Sequence, residues 1–172
     1  TPLAFKDKDH ILFQANILPA AEDMQFASAQ FPQVYEVSTS GGRPIMFSSM
    51  PMEDISISMD GKTLLYHDKK GYEDAWRKHH TSSITRDIWM CTLEGERSYK
   101  KLSNFNGEDR NPVWASADTY YYLSEQNGSF NVFKANINGG APIQITKHEK
   151  HPVRFLSRAN NGTLCYGYDG GI

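Results

Sequence analysis

Short apolar runs alternate with polar turn residues between Asn111 and Thr146. The runs are Pro112 to Ala115, Tyr120 to Leu123, Phe130 to Ala135 and Pro142 to Ile145. Each run has the length and the aromatic or β-branched content of a strand. The residues between the runs, such as Asn127-Gly128 and Gly139-Gly140, readily adopt the positive φ angles of tight turns. The pattern therefore predicts a four-stranded antiparallel meander.

The same meander recurs along the chain. Placing Trp114 on Ile57 aligns the hairpins that follow them without a gap, and placing Ile57 on Ala4 does the same. The repeating units span about 1–50, 51–106, 107–149 and 150–172, and the last unit is incomplete. Four short strands repeated about every 40 to 45 residues are the signature of a β-propeller blade. We therefore predict an all-β fold, a β-propeller segment of about three and a half four-stranded antiparallel blades.

The number of blades bears on completeness. Propellers usually close with about 4 to 8 blades, and closure removes the unpaired edges of the sheets. Each blade also needs a neighbour to cover its face. We therefore expect an incomplete ring, which belongs to a larger protein that supplies the remaining blades.

Composition excludes several classes of partner. The chain has 172 residues and a formal net charge of -2, so it lacks the basic field of a nucleic-acid-binding protein. It contains no apolar stretch near the ~18 residues that a membrane span requires. Cys91 and Cys165 show no metal-ligand spacing, and the sequence has no glycine-rich phosphate-binding loop. We expect no metal and no cofactor.

Two long insertions are the candidate binding surface. They run from about Ile17 to Pro32 and from about Lys69 to Arg86, and each joins the second and third strands of its unit. We therefore expect them to lie side by side on one face of the propeller. The candidate contact residues for a substrate or partner are Phe26, Phe31, Tyr72, Trp76, Arg77, His79 and His80. Aromatic residues beside arginine are typical of interaction hot spots, but these aromatics could instead pack the loops onto the blades.

No catalytic residues are predicted. His79 and His80 with Ser82, Ser83 and Asp87 include the residue types of a Ser-His-Asp triad. Proximity in sequence does not give triad geometry, and no nucleophile elbow is present. The predicted inner strands, Ile55 to Ser58 and Val113 to Ser116, offer no convergent cluster of ionisable residues.

Three motifs carry a family resemblance. SMDGKTLLYHDKKG (Ser58 to Gly71), GEDRNPVW (Gly107 to Trp114) and the Asn-Gly-Gly turn followed by PIQIT resemble the repeats of tricorn-type and TolB-type propellers. The segment from Tyr66 to Trp89 further resembles bacterial tricorn-like serine peptidases, in the propeller ahead of their catalytic part. One departure is Met59, which stands where the family's turn has proline.

The resemblance implies a non-catalytic role. In that family the catalytic residues lie in C-terminal domains with a PDZ module, and no such motif occurs here. The segment would gate or dock peptide substrates for proteolysis by those domains. Its partners would be a peptide or protein substrate, the remaining blades and peptidase domains of the parent chain, and a second copy in a homo-oligomer. The alternative is a TolB-like scaffold for protein–protein interaction in the cell envelope. Family habit favours the periplasm or another exported location, with the cytoplasm as the alternative.

Overall fold

A computed structural model of the chain describes residues 1–16, 32–71 and 83–172. The strands of the first sheet, blade 1, are β1 (Pro2–Phe5), β2 (His10–Ala15), β3 (Gln33–Ser38) and β4 (Ile45–Ser48). Those of blade 2 are β5 (Met52–Ile57), β6 (Thr63–Asp68), β7 (Ile88–Thr92) and β8 (Tyr99–Lys101). Within these described ranges, no helix has the length and apolar character needed to cross a membrane.

The third and fourth sheets continue the series. The strands of blade 3 are β9 (Asp109–Trp114), β10 (Thr119–Ser124), β11 (Asn131–Asn136) and β12 (Ile143–Gln144). The two strands of blade 4 are β13 (Arg154–Arg158) and β14 (Leu164–Gly167). Each strand pairs antiparallel with the next in chain order within its sheet. The predicted all-β fold, an incomplete propeller of four-stranded antiparallel blades, is confirmed.

The inner strands of blades 2 and 3, which are the first strands of these sheets, begin earlier than the apolar pattern predicts. β5 begins at Met52 and β9 at Asp109, each about three residues before the predicted start. In both strands a polar residue with left-handed backbone, Asp54 (φ 48°) or Asn111 (φ 51°), interrupts the apolar alternation. The pairing register of each strand shifts at this point, as in a β-bulge. The apolar pattern alone therefore detects only the part of each strand that follows the bulge.

The hydrophobic core lies between the blades. Leu64 and Tyr66 of β6 are fully buried in a cluster with side chains of blade 1. Leu65, between them in sequence, is buried in a second cluster with side chains of blade 3. A third cluster joins blade 3 to blade 4 through residues such as Leu123 and Val153. Because both faces of a middle strand are covered, these strands are apolar at successive positions, unlike a strand with one face in water.

Trp114 ties the inner strand of blade 3 to that of blade 2. Its side chain is 6% exposed and packs in the core cluster between these blades. The indole Nε1–H donates to the carbonyl oxygen of Ser56 at 3.0 Å, and the Trp114 backbone amide donates to Ser56 Oγ at 3.2 Å. The two sheets are therefore held by hydrogen bonds as well as by apolar packing.

The substitution Trp114→Phe isolates the indole hydrogen bond. Phenylalanine keeps an aromatic ring in the core but cannot donate to Ser56, whose carbonyl oxygen then loses that partner. We expect the free energy of unfolding to fall by about 1 kcal/mol, measured by chemical denaturation of the purified protein. An unchanged denaturation midpoint would show that this hydrogen bond does not stabilise the contact between the blades.

Candidate functional site

The predicted contact residues of the two insertions are not described by the structure. Phe26, Phe31, Tyr72, Trp76, Arg77, His79 and His80 all lie outside the described ranges, so their role stays a prediction. The described ends of the second insertion are held together, because Lys70 Nζ donates to the carbonyl oxygen of Thr85 at 2.6 Å. Lys70 also forms an ion pair with Asp87. Asp87 is the aspartate of the Ser-His-Asp residue types noted in the sequence. Asp87 therefore has a structural role at the base of this insertion.

A pocket forms where the inner strands of three consecutive blades meet. Its cavity volume is about 240 Å³. The residues that line this axial pocket are Glu53, Asp54, His67, Arg86, Arg110, Asn111, Arg154 and Phe155. They come from β5, β6, β9 and β13, except for Arg86, which lies two residues before β7. Charged groups of both signs therefore share one small cavity on the inner side of the blades.

Three residues with left-handed backbone occur at corresponding steps of the three inner strands. They are Asp54, Asn111 and Phe155, with φ angles of 48°, 51° and 56°. The Asn111 side-chain amide donates to the carboxylate of Asp54 in the preceding blade. The Asn111 backbone amide also donates to His67 Nδ1 at 3.2 Å. Strained backbone of this kind concentrates at functional sites, and here its side chains line a common pocket.

Arg86 is a pocket residue that bridges two carboxylates. It is 8% exposed, and its Nη1 donates to Glu108 Oε1 of blade 3 at 3.0 Å. Its Nε approaches Glu53 Oε2 of blade 2 at 3.4 Å. A buried guanidinium that bridges two carboxylates needs both partners, because an unpaired buried charge is costly. Arg86 therefore fixes the relative position of blades 2 and 3 at the pocket.

Glu53 stays ionised at the pocket wall. Burial alone would raise its pKa, but hydrogen bonds from His67 and Lys69 and the positive charge of Lys69 outweigh burial and lower the pKa to about 2. The contacts are His67 Nε2 at 3.2 Å and Lys69 Nζ at 3.1 Å. Because His67 Nδ1 accepts the Asn111 amide proton, the neutral form of His67 carries its own proton on Nε2, directed at Glu53.

Arg110 extends the charged network toward blade 4. Its Nη1 lies 3.4 Å from Glu108 Oε1, and its guanidinium stacks over the Phe130 ring at 4.1 Å from the ring centroid. Burial lowers the pKa of Arg110 to about 10, so the side chain remains charged at neutral pH. Phe155, 68% exposed, adds an apolar surface to the wall. The pocket can therefore make ionic, hydrogen-bonding and apolar contacts together.

The sequence interpretation missed this cluster. It predicted no convergent ionisable residues on the inner strands, and this is wrong because β5 and β9 extend to earlier residues than predicted. The sequence did contain a signal for this cluster, which is a pair of residues repeated in successive units. The pairs Glu53-Asp54, Arg110-Asn111 and Arg154-Phe155 stand at the same step before each inner apolar run. A charged residue at a fixed place in successive repeats indicates a shared surface at the propeller axis.

Comparisons with solved structures show the same fold. The chain matches putative TolB from Agrobacterium tumefaciens at 16% identity and TM-score 0.67, covering 96% of this chain and 56% of that chain. TolB from Acinetobacter baumannii matches at 15% identity and TM-score 0.65, over 96% of this chain and 36% of that one. A prolyl endopeptidase structure matches at 15% identity and TM-score 0.62, over 96% and 24%. The chain therefore covers between 24% and 56% of the length of these three proteins.

The family itself is shown by sequence. A comparison with curated proteins found no significant match. The family model described as the tricorn protease N-terminal beta propeller domain matches residues 5–172, which is nearly the whole chain. The repeated meander, the blade order and this match agree, and the chain belongs to the tricorn protease N-terminal β-propeller family.

Proposed function

We propose that this propeller segment binds an extended polypeptide at the axial pocket. In this role it docks or gates peptide substrates for proteolysis by a serine-peptidase domain elsewhere in the parent protein. The observation that carries the proposal is the convergence of three inner strands on one cavity with charged, polar and aromatic walls. Family membership supports the link to proteolysis, since the family model is that of a protease propeller.

The inner strands suit an extended ligand. β5 and β9 are edge strands of their sheets, so each has one side without a partner strand in its own sheet. Edge strands offer backbone N–H and C=O groups to an incoming extended chain. The bulges at Asp54 and Asn111 interrupt this edge and place side chains there instead. A peptide would therefore meet both backbone groups and specific side chains.

Phe155 is the best residue for a test. It is a large exposed ring on the pocket wall and has a left-handed backbone, which is unusual for a bulky residue. We expect Phe155→Ser in the full-length parent protein to weaken the binding of fluorescein-labelled peptides by at least about fivefold, measured by fluorescence anisotropy. Peptide hydrolysis at low substrate concentration should fall in parallel.

The matched control is Ile143→Ser. Ile143 is 65% exposed, but it lies on the outer strand β12, away from the inner strands. We expect it to leave peptide binding unchanged. Equal weakening by both variants, or none by Phe155→Ser, would refute the proposal. Binding of a folded partner protein without any peptide hydrolysis would instead support the interaction scaffold of the cell envelope.

The long insertions supply a second part of the proposed surface. Sequence assigns them aromatic and basic residues, of which Trp76 and Arg77 are the strongest candidates. The variant with both residues changed to alanine belongs in the same anisotropy series. Weaker binding there with intact assembly would extend the surface to the insertion. Location in the periplasm, association with further blades and peptidase domains, and homo-oligomer formation are parts of this proposal too.

A further inference from the structure

A second cavity lies between blades 2 and 3. Its volume is about 280 Å³. One wall is the connection from blade 2 to blade 3, residues 102–105, and the other is the face of blade 3 around Tyr120 and Tyr122. Asn104, Gly139, Gly140 and Pro142 at its rim are exposed, so the cavity has an accessible mouth. We call it the inter-blade cleft.

The inner end of the cleft holds a buried carboxyl group. Asp109 is 1% exposed, and its backbone amide donates to the carbonyl oxygen of Arg86 at 3.0 Å. Among the described residues, its Oδ1 atom has no hydrogen-bond partner, and neither does Nε2 of Gln126, which also lines the cleft. Buried polar atoms are nearly always paired, so such atoms lining an open cavity indicate a place for a ligand.

The electrostatic surroundings of Asp109 favour a cation. Burial and the nearby carboxylates of Asp87 and Glu125 raise the pKa of Asp109 to about 7, against hydrogen bonding from Ser124 and the charge of Lys101. Lys101 Nζ is 2.8 Å from Asp87 Oδ2, and Lys70 also pairs with Asp87. Both lysines therefore form their ion pairs with Asp87 and not with Asp109. A bound cation would offset the negative potential at Asp109 and stabilise its ionised form.

The walls of the cleft suit the same ligand. The rings of Tyr120 and Tyr122 lie 5.4 Å apart between centroids. Burial raises the pKa of both phenols, so they stay neutral at physiological pH. Aromatic faces attract ammonium groups. The small volume admits a group of side-chain size and excludes a folded domain.

We propose that the inter-blade cleft binds a primary ammonium group on a short alkyl chain, held by the Asp109 carboxylate and the Tyr120 and Tyr122 rings. This chemistry is shared by a lysine side chain and by a small free amine. The site lies apart from the axial pocket, and the proposal does not depend on peptide binding there.

The test titrates the purified protein with two probes, n-butylammonium and N-acetyl-lysine methylamide, by NMR. We expect binding at pH 8 that weakens by about tenfold at pH 6, because Asp109 takes up its proton over this range. The neutral analogues 1-butanol and N-acetyl-norleucine methylamide should bind at least tenfold more weakly. Asp109→Asn should abolish binding, whereas Asp118→Asn, in an exposed turn of the same blade, should leave it intact.

The two probes distinguish the sources of the ammonium group. Binding of butylammonium alone assigns the cleft to a small amine, and binding of the lysine derivative as well assigns it to a polypeptide side chain. Failure of both probes, or equal binding of the neutral analogues, would overturn the proposal. If Asp109→Asn does not fold, the proposal is tested in the wild-type protein by following the ¹³C chemical shift of the Asp109 carboxyl against pH, with and without the probe. The pKa of this carboxyl must fall when the probe is added, and an unchanged pKa would also overturn the proposal.

Discussion

Replacing Arg86 with methionine should lower the free energy of unfolding by about 3–5 kcal/mol. The guanidinium bridges Glu53 and Glu108 across two blades, and both the arginine and Glu108 are buried. Methionine keeps much of the volume but leaves Glu108 with one cation fewer in a poorly solvated place. The measurement is urea denaturation of the purified protein at neutral pH.

Three further variants identify the cause of this loss. Arg86→Lys should recover only part of the stability, because an ammonium group cannot reproduce the planar fork that contacts both carboxylates. Combining Arg86→Met with Glu108→Gln should also recover part of it, since the unpaired charge is then removed. Arg43→Met, at an exposed position, should change stability by less than about 0.5 kcal/mol. If the Arg43 and Arg86 variants lose the same amount, the ionic bridge does not hold the blades together.

Asp109→Asn should change how stability depends on pH. In the folded protein, burial raises the pKa of Asp109 from 3.8 to about 7. Between about pH 4 and pH 7, the unfolded chain loses this proton while the folded protein keeps it. The wild-type protein therefore loses stability as pH rises through this window, by up to about 4 kcal/mol, and the loss then stays constant above pH 7. The asparagine variant has no such loss.

The measurement compares the unfolding free energies of wild type and variant from pH 4 to pH 8. The difference should grow in favour of the variant as pH rises, and it should be nearly constant for Asp118→Asn, which removes an exposed turn carboxylate. Groups distant from Asp109 titrate equally in wild type and variant, so the difference reports Asp109 together with the carboxylates of Asp87 and Glu125 that are coupled to it. Parallel pH profiles for wild type and Asp109→Asn would show that the folded protein does not disfavour ionised Asp109.

The turns and middle strands were predictable because their signals are local. The run Tyr120 to Leu123 lies within β10, and the glycines of the predicted turns, Gly128, Gly139 and Gly140, all have positive φ. Alternation and turn chemistry depend on neighbours in sequence. The start of β9 was misplaced because Asn111 combines a polar side chain with left-handed backbone, a conformation that apolar periodicity does not reveal.

The candidate site was less predictable than the fold. Sequence pointed to insertion residues such as Trp76, which lie outside the described ranges, and it gave no weight to Arg86 as a bridge between blades. Glu53, Arg86 and Glu108 are separated by 33 and 22 residues in the chain, and only blade packing brings them within hydrogen-bonding distance. No local pattern encodes such a distance.

The amino-acid sequence by itself determined that this protein is a series of four-stranded meanders, because strand period, turn residues and repeat length are properties of short segments. Tertiary structure alone decided which polar residues meet at the axis and which become buried between blades. Those outcomes depend on the angle and register at which successive sheets pack. They fixed the pairing of Arg86 and the burial of Asp109, from which the charge states of both cavities follow.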